Sequence, residues 1–355
     1  MLRVAVTLAA VLTAAVSVQA MMPAGKQAFV PMDAALVTTA TPVTAATPPA
    51  PSDGLLQSVV TTCAGVYVPM AGLDTTSKYD QSLSTRSELD VAAASTRRAQ
   101  IGPIEQAIRS IGDLAAMQSG QPQIDTLAHD CAVKALVKWA DNGALLQMTS
   151  KDAALTRGRM MAEIGVTLVG LDRAGAVSDV DRAALSPWLS SIADDTMAFF
   201  STGAGSVSRN NNHRYWAGLA VGAIGFLTST QRYRDWSVDG IKIGTCQVDA
   251  DGHLPLELAR GAQARNYHLY AFRPLAATLS LFQLNGEPVA DACMSGFRRL
   301  AATTLAGLSN PADFARITGV AQAKLPSETT YVTGLRLTSA YLTPYASNDI
   351  LSASL

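Results

Sequence analysis

Residues 219–227, Leu-Ala-Val-Gly-Ala-Ile-Gly-Phe-Leu, carry no polar side chain. A helix that is apolar nearly all round has to be enclosed by other elements. This run therefore limits the chain to folds with an inner layer. It is opened by Asn210-Asn211-Asn212-His213-Arg214-Tyr215-Trp216-Ala217-Gly218. Asparagine is favoured at a helix start, where its side chain accepts a backbone N–H. Pattern alone leaves two readings level. One is a capped helix with a core tryptophan, the other an imidazole and an amide held at a cavity wall.

Most of the remaining chain also reads as helix. The stripe Leu127, Ala128, Cys131, Ala132, Ala135, Leu136, Trp139 has helical period, and so has Ala154, Leu155, Met160, Met161, Ile164, Leu168. Helices are predicted over 87–117, with a break at Gly102-Pro103, and over 126–139 and 152–171. Ser186-Pro187 reads as a cap followed by proline at the first helical position, opening a helix that runs to Phe200. Further helices are expected over 216–228, 231–248, 258–284, 288–308 and 333–341. Linkers are short and hold Gly, Asn, Asp or Pro, which joins antiparallel neighbours. The fold class expected is all-α, with helix hairpins closing an α/α barrel or toroid.

The N-terminus reads as an export signal over 1–20. Met1-Leu2-Arg3 is positive, Val4 to Val18 apolar, and Val18-Gln19-Ala20 a small-residue cleavage pattern. That apolar run is short for a bilayer span, which needs about 20 residues. Residues 21–53, rich in Ala, Thr and Pro, read as a linker, and 54–355 as one folded domain. A periplasmic or secreted protein with no membrane span after cleavage is expected, acting as a monomer. The net charge of −1 argues against a nucleic-acid surface, which needs a basic stripe. Cys63, Cys131, Cys246 and Cys293 permit two disulfides of undetermined connectivity, and their spacing offers no zinc site. Residues 61–89 read as a long polar loop. As a lid it would bring Lys78 and Tyr79, side chains suited to gripping an anion and a sugar.

A second polar stretch runs from Leu254-Pro255-Leu256-Glu257-Leu258 through Arg260, Arg265, Tyr267, His268 and Tyr270. Arg260 and Tyr267 are seven apart, which on one helix puts them on the same face roughly 10 Å apart. A surface Arg and a core Tyr would show the same spacing.

The run from Asn211 through His213, Tyr215 and Trp216 to Gly218 resembles the periplasmic alginate lyases of polysaccharide lyase family 5. So do 247–252, Leu254-Pro255, Glu257-Leu258, Arg260, Tyr267-His268 and Tyr270. Ser77-Lys78-Tyr79 with Arg86 resembles that family's lid loop. The resemblance implies an incomplete α/α toroid with a deep cleft, and β-elimination on poly-mannuronate with no metal and no cofactor. Matched positions make Asn212, His213, Arg260 and Tyr267 the catalytic set. Lys78, Tyr79 and Arg86 become substrate contacts, and Trp216 a stacking platform that equally suits the core. A disulfide near the lid base, between Cys63 and Cys131, fits the family; Cys246 and Cys293 could be bridged or free. Arg214 and Gly261-Ala262-Gln263 depart from the family pattern, and both are expected at the cleft rim.

The residue types suit that chemistry. A uronate C5–H is acidic only once the adjacent carboxylate is neutralised. Arg260 can do this by charge-assisted, bidentate hydrogen bonds. Asn212 and His213 can donate where negative charge accumulates. In mannuronate the C5 proton and O4 share a face, so Tyr267 can serve as base and acid in turn, with His213 the rival base. A cation beside Tyr267 would favour its phenolate. The partner expected is an anionic uronate polysaccharide. Alternatives are a lyase for glucuronan or another uronate exopolysaccharide, a hydrolase using Asp249, Asp251 and Glu257, and a non-catalytic polysaccharide-binding protein.

Overall fold

The computed structural model describes residues 53–290 and 293–325. The expected signal, most of the linker and the helix expected over 333–341 lie outside the described residues. The apolar run forms the middle of the structure. Helix α1 (Asp53–Ala64) leads into a loop holding strand β1 (Gly72–Leu73), followed by α2 (Val91–Ala115), α3 (Pro122–Asp141) and strand β2 (Gln147–Met148). Then come α4 (Lys151–Arg173), α5 (Asp179–Ala198), a π-helical turn (Phe199–Gly203), α6 (Ser206–Asn210), α7 (Asn212–Leu227) and α8 (Gln231–Cys246). The chain continues through the single turn α9 (Pro255–Leu258), a 3-10 turn (Gly261–Gln263), α10 (Ala264–Leu284), α11 (Met294–Ser309) and α12 (Ala312–Thr318).

Helix α7 packs against α4, α5, α8 and α10. All of its residues except His213 and Phe226 are buried, as an all-round apolar helix requires. Small residues set its close approaches. A Cβ at Gly165 of α4 would lie 2.8 Å from Ala223 Cβ, too close for any side chain without backbone movement. The main core joins α2, α3, α4, α5 and α7 through Ile111, Leu136, Trp139, Met160 and Ile192. A second cluster joins α7, α8, α10 and α11 through Tyr215, Ile241, Phe272, Leu275 and Phe297.

Both expectations drawn from prolines fail. Pro103 does not break α2, and Pro187 does not open α5 but lies within it. Both prolines, and Ala99 and Ala183 four residues before them, are on exposed faces. The carbonyl that loses its partner there can turn to solvent. The true start of α5 is Ser178, whose side chain accepts from Asp181 N, with Asp179 and Asp181 in the positive first turn. Two disulfides form, Cys63–Cys131 tying α1 to α3 and Cys246–Cys293 tying the end of α8 to the start of α11. The second settles the open alternative in favour of a bridge.

Candidate active site

The helix expected over 258–284 is interrupted, and the interruption builds the site. After the single turn of α9, Arg260 takes φ −78° and ψ 3°. Gly261 follows at φ +53°, a left-handed value that glycine adopts without steric cost. The chain resumes as helix only at Ala264. Arg260 and Tyr267 therefore do not share a helix face. The turn folds the guanidinium back onto the phenol, with Arg260 Cζ 3.8 Å from the centre of the Tyr267 ring.

Asn211, not Asn212, caps α7, its side chain accepting from His213 N. Asn212 faces the α9 turn instead. Its backbone N and its Nδ2 both donate to Glu257 Oε1, each at 2.9 Å. His268 fixes the foot of that turn: its Nε2 accepts from Leu254 N at 2.9 Å, so its proton resides on Nδ1, which donates to Ala264 O.

The loop between α1 and α2 covers this arrangement. β1 and β2 pair in parallel, Gly72 with Gln147 and Leu73 with Met148. The two arms of the loop pair through Asp80 N to Glu88 O and Asp90 N to Lys78 O, with a bridge between Tyr79 and Leu89. At the bend, Arg86 has φ 45°, a strained value for a residue with a Cβ. Its carbonyl accepts from Arg260 Nη2 at 2.6 Å, and the Ser87 carbonyl accepts from Gln263 Nε2. Tyr79 lies 6.3 Å from the Tyr267 ring and 5.1 Å from Arg260 Cζ. Lys78 is exposed, its Nζ 5.2 Å from the Tyr79 ring.

Arg97 of α2, which no local pattern singles out, completes the cationic wall. It donates to Thr76 O at 3.1 Å and to Thr156 Oγ1 at 2.7 Å, pinning the loop base to α4. Burial, with the charges of Arg260, Arg97 and Arg86, lowers His213 to a pKa of about 4. Its ring is thus neutral at neutral pH. Burial raises Glu257 to about 7, against the opposing hydrogen bonds from Asn212 and the charge of Arg260. Tyr267 departs from expectation. Burial pushes its phenol well above the ordinary range; Arg260 pulls the other way and loses, while Tyr79 adds to the rise. The resting phenol is protonated.

The structure thus links Asn212 to the Arg260 turn through Glu257 and Arg260 to Tyr267, with His213 next to Asn212 and within the influence of the Arg260 charge, and with Tyr79 and the Arg86 carbonyl on the loop side. Trp216 does not face a cleft. It is 3% exposed and packs 5.3 Å from Tyr270 within the core, because its place on α7 points to the enclosed layer. Arg214 is not at the rim either. It is buried between α7 and α8, its Cζ 3.3 Å from the Trp236 ring centre. Gly261-Ala262-Gln263 does lie beneath the loop. Asp249 Oδ1 accepts from Asp251 N and His253 N, which makes it a turn residue rather than one of a pair of catalytic carboxyls. Among the described residues no group of three or more His, Cys, Asp or Glu is spaced to hold a metal ion, and no helix is long and apolar enough to cross a membrane.

A helical layer enclosing α7, with a cationic and aromatic site under a loop, is the architecture of an α/α toroid. The fold is shared with alginate lyase A1-III. A histidine-to-alanine variant complexed with tetrasaccharide superposes with a TM-score of 0.61 at 19% identity, over 74% of this chain and 73% of that one. The A1-III crystal structure from Sphingomonas species A1 gives 0.58 at 16% identity, over 83% and 88%. The family model named alginate lyase matches residues 156–314. An alginate lyase from Pseudomonas fluorescens is 31% identical over 298 residues, 80% of this chain and 76% of that protein. One from Cobetia marina is 31% identical over 271 residues, 73% and 70% of the two chains. A polysaccharide lyase from Stenotrophomonas maltophilia is 33% identical over 204 residues, 57% and 60%. The chain belongs to the alginate lyase family.

Proposed function

We propose that this protein is a mannuronate-specific polysaccharide lyase that cleaves alginate by β-elimination without a metal ion. The observation that carries the reading is the stack of Arg260 on Tyr267 at 3.8 Å, beside a neutral His213. On this reading a carboxylate clamp and a proton-transfer group would meet the same sugar ring. Arg260 meets the uronate carboxylate with its guanidinium fork. His213, uncharged, donates one ring N–H to the same carboxylate, and Asn212 adds the Nδ2 hydrogen not committed to Glu257. The negative charge that develops as C5 loses its proton is thereby held by fixed donors.

Because burial keeps Tyr267 protonated, the phenol enters the reaction as O–H. On mannuronate the C5 proton and O4 lie on one face. The phenol oxygen accepts the C5 proton as its own proton passes to O4. The C5–H electron pair becomes the C4=C5 double bond, the C4–O4 bond breaks, and the phenol ends as it began. No free phenolate is needed, so the raised pKa is compatible with turnover. Guluronate, with the two groups on opposite faces, would need a second residue.

Lys78, Tyr79 and Arg86 on the covering loop meet the polyanion as it binds. Action as a monomer is part of the same proposal. Two disulfides support a periplasmic or secreted location, and the domain assignment over 54–355 goes with it. The test is incubation with poly-mannuronate, poly-guluronate and polyglucuronate, with and without chelator. Ultraviolet absorbance of the unsaturated end, fastest on poly-mannuronate and indifferent to chelator, is expected. Reducing ends without that absorbance would mean a hydrolase, and binding without product a carrier.

A further inference from the structure

Glu257 takes no step in the elimination just described, yet it is the most expensively placed side chain in the site. It is fully buried. Its Oε1 accepts twice from Asn212, while Oε2 has no hydrogen-bond partner among the described residues. A half-satisfied buried carboxylate is destabilising compared with a neutral group of the same shape. A position kept for stability alone has no need of that charge.

We propose that Glu257 is the positioning residue of the carboxylate clamp: through Oε1 it locks the Asn212 amide and holds the start of α7 against the turn that carries Arg260. This rests on the lyase reading of the site. Three features support it. A primary amide can turn over about its last torsion and exchange its oxygen for its nitrogen. With Glu257 ionised, the turned-over amide would set Oδ1 against Oε1, two acceptors in contact, so one orientation survives. Asn212 N belongs to the first turn of α7, where an N–H has no partner within the helix. A carboxylate there is favoured by the helix dipole and fixes His213, the next residue, along with Asn212. Finally, Arg260 N donates to Glu257 O at 3.1 Å. One residue thus grips both halves of the clamp, which arrive from elements 45 residues apart.

The charged and titratable groups around Glu257 are few. Arg260 on its own turn opposes the effect of burial. On α7, Tyr215 feels the carboxylate and is raised further by it, and His213 stays neutral. On α10, His268, held neutral by burial, receives the Leu254 N–H at the foot of the turn, and Arg265 is directed to the carbonyls of Gly307 and Ala323. With Glu257 at about 7, the clamp is tightest above neutrality and loosens below it.

The test uses the full chain and two readouts. For Glu257→Gln on poly-mannuronate, kcat should fall roughly 10- to 100-fold with KM within about threefold of the parent, since the clamp matters most as charge develops. The melting temperature should not fall, and the acidic limb of the parent's kcat–pH profile should vanish. In substrate-free protein, the Asn212 side-chain amide resonance should titrate near pH 7 in the parent and be flat in Glu257→Gln. A variant with the parent's kcat and acidic limb overturns the proposal, as does an Asn212 amide that does not titrate in the parent. Should Glu257→Gln fail to fold, the parent's own amide titration and acidic limb decide. A parent inactive on every uronate polymer sinks the lyase reading instead, and the resonance still reports whether Glu257 holds Asn212.

Discussion

Replacing Arg260 by lysine keeps the charge and removes the plane, which makes it an informative change. The guanidinium does three things in the structure: it covers the Tyr267 ring at 3.8 Å, it donates to the Arg86 carbonyl at 2.6 Å, and it is the proposed fork for the uronate carboxylate. Lysine supplies a point charge with no fork and stacks poorly. Losing one arm of a charge-assisted pair costs about 1.5–3 kcal/mol, and weakening a partly desolvated cation–π contact about 1 kcal/mol. At about 1.4 kcal/mol per decade, a loss of roughly 3 kcal/mol is about a hundredfold in kcat/KM. Arg260→Ala also leaves Glu257 without its counter-charge, and should fall by about two decades more. The assay is the initial rate of unsaturated-end absorbance at several polymer concentrations. Amide hydrogen exchange over 78–90 should accelerate in both variants, because one of the bonds that fasten the loop is weakened or gone. Arg260→Lys within about threefold of the parent would refute the claim that the fork, rather than the charge, does the clamping.

Two further outcomes follow from the same geometry. His213 and His268 each hold a folded pKa of about 4 against 6.5, so their neutral rings stabilise the fold above pH 6.5 and that contribution fades as pH falls toward 4. Glu257, raised from 4.5 to about 7, acts oppositely and stabilises as pH falls through that interval. Between pH 6.5 and 4.5 the unfolded chain takes up two protons at these sites and the fold one, so acidification should cost about 1.4 kcal/mol per pH unit. Urea midpoints across that range check it, and stability that climbs on acidification would contradict it. Lys78 and Arg86 are exposed on the loop, so added salt should raise KM more than it lowers kcat; a KM indifferent to salt would remove them from the substrate path.

What the sequence could and could not show follows from the range of the interactions. Periodic stripes such as Leu127 to Trp139 are local, and they located most helices. Both prolines misled, because a ring on an exposed helix face is tolerated and nothing in a local pattern records exposure. The break after Arg260 was hidden in the same way: Gly261 reads as a weak helix residue until its φ is known. Asn212, His213, Arg260 and Tyr267 could be named by family resemblance, whereas seven-residue spacing gave the wrong geometry for the last pair. The sign of the Tyr267 shift was missed because a neighbouring cation is visible in sequence and burial is not. Arg97 lay beyond reach, since its partners Thr76 and Thr156 flank it at long range. In sequence Glu257 reads as a candidate hydrolase carboxyl, and its grip on Asn212 appears only when α7 and the α9 turn meet.

The central step of the proposed reaction is a protonated phenol exchanging protons with one face of a mannuronate ring. Tyr267→Phe keeps the ring beneath Arg260 and removes only the hydroxyl. Its turnover of poly-mannuronate, followed by absorbance of the unsaturated end alongside oligosaccharide binding, is the direct measurement. Loss of product with binding within about threefold of the parent is the expected result; appreciable unsaturated product from the phenylalanine variant would contradict the mechanism.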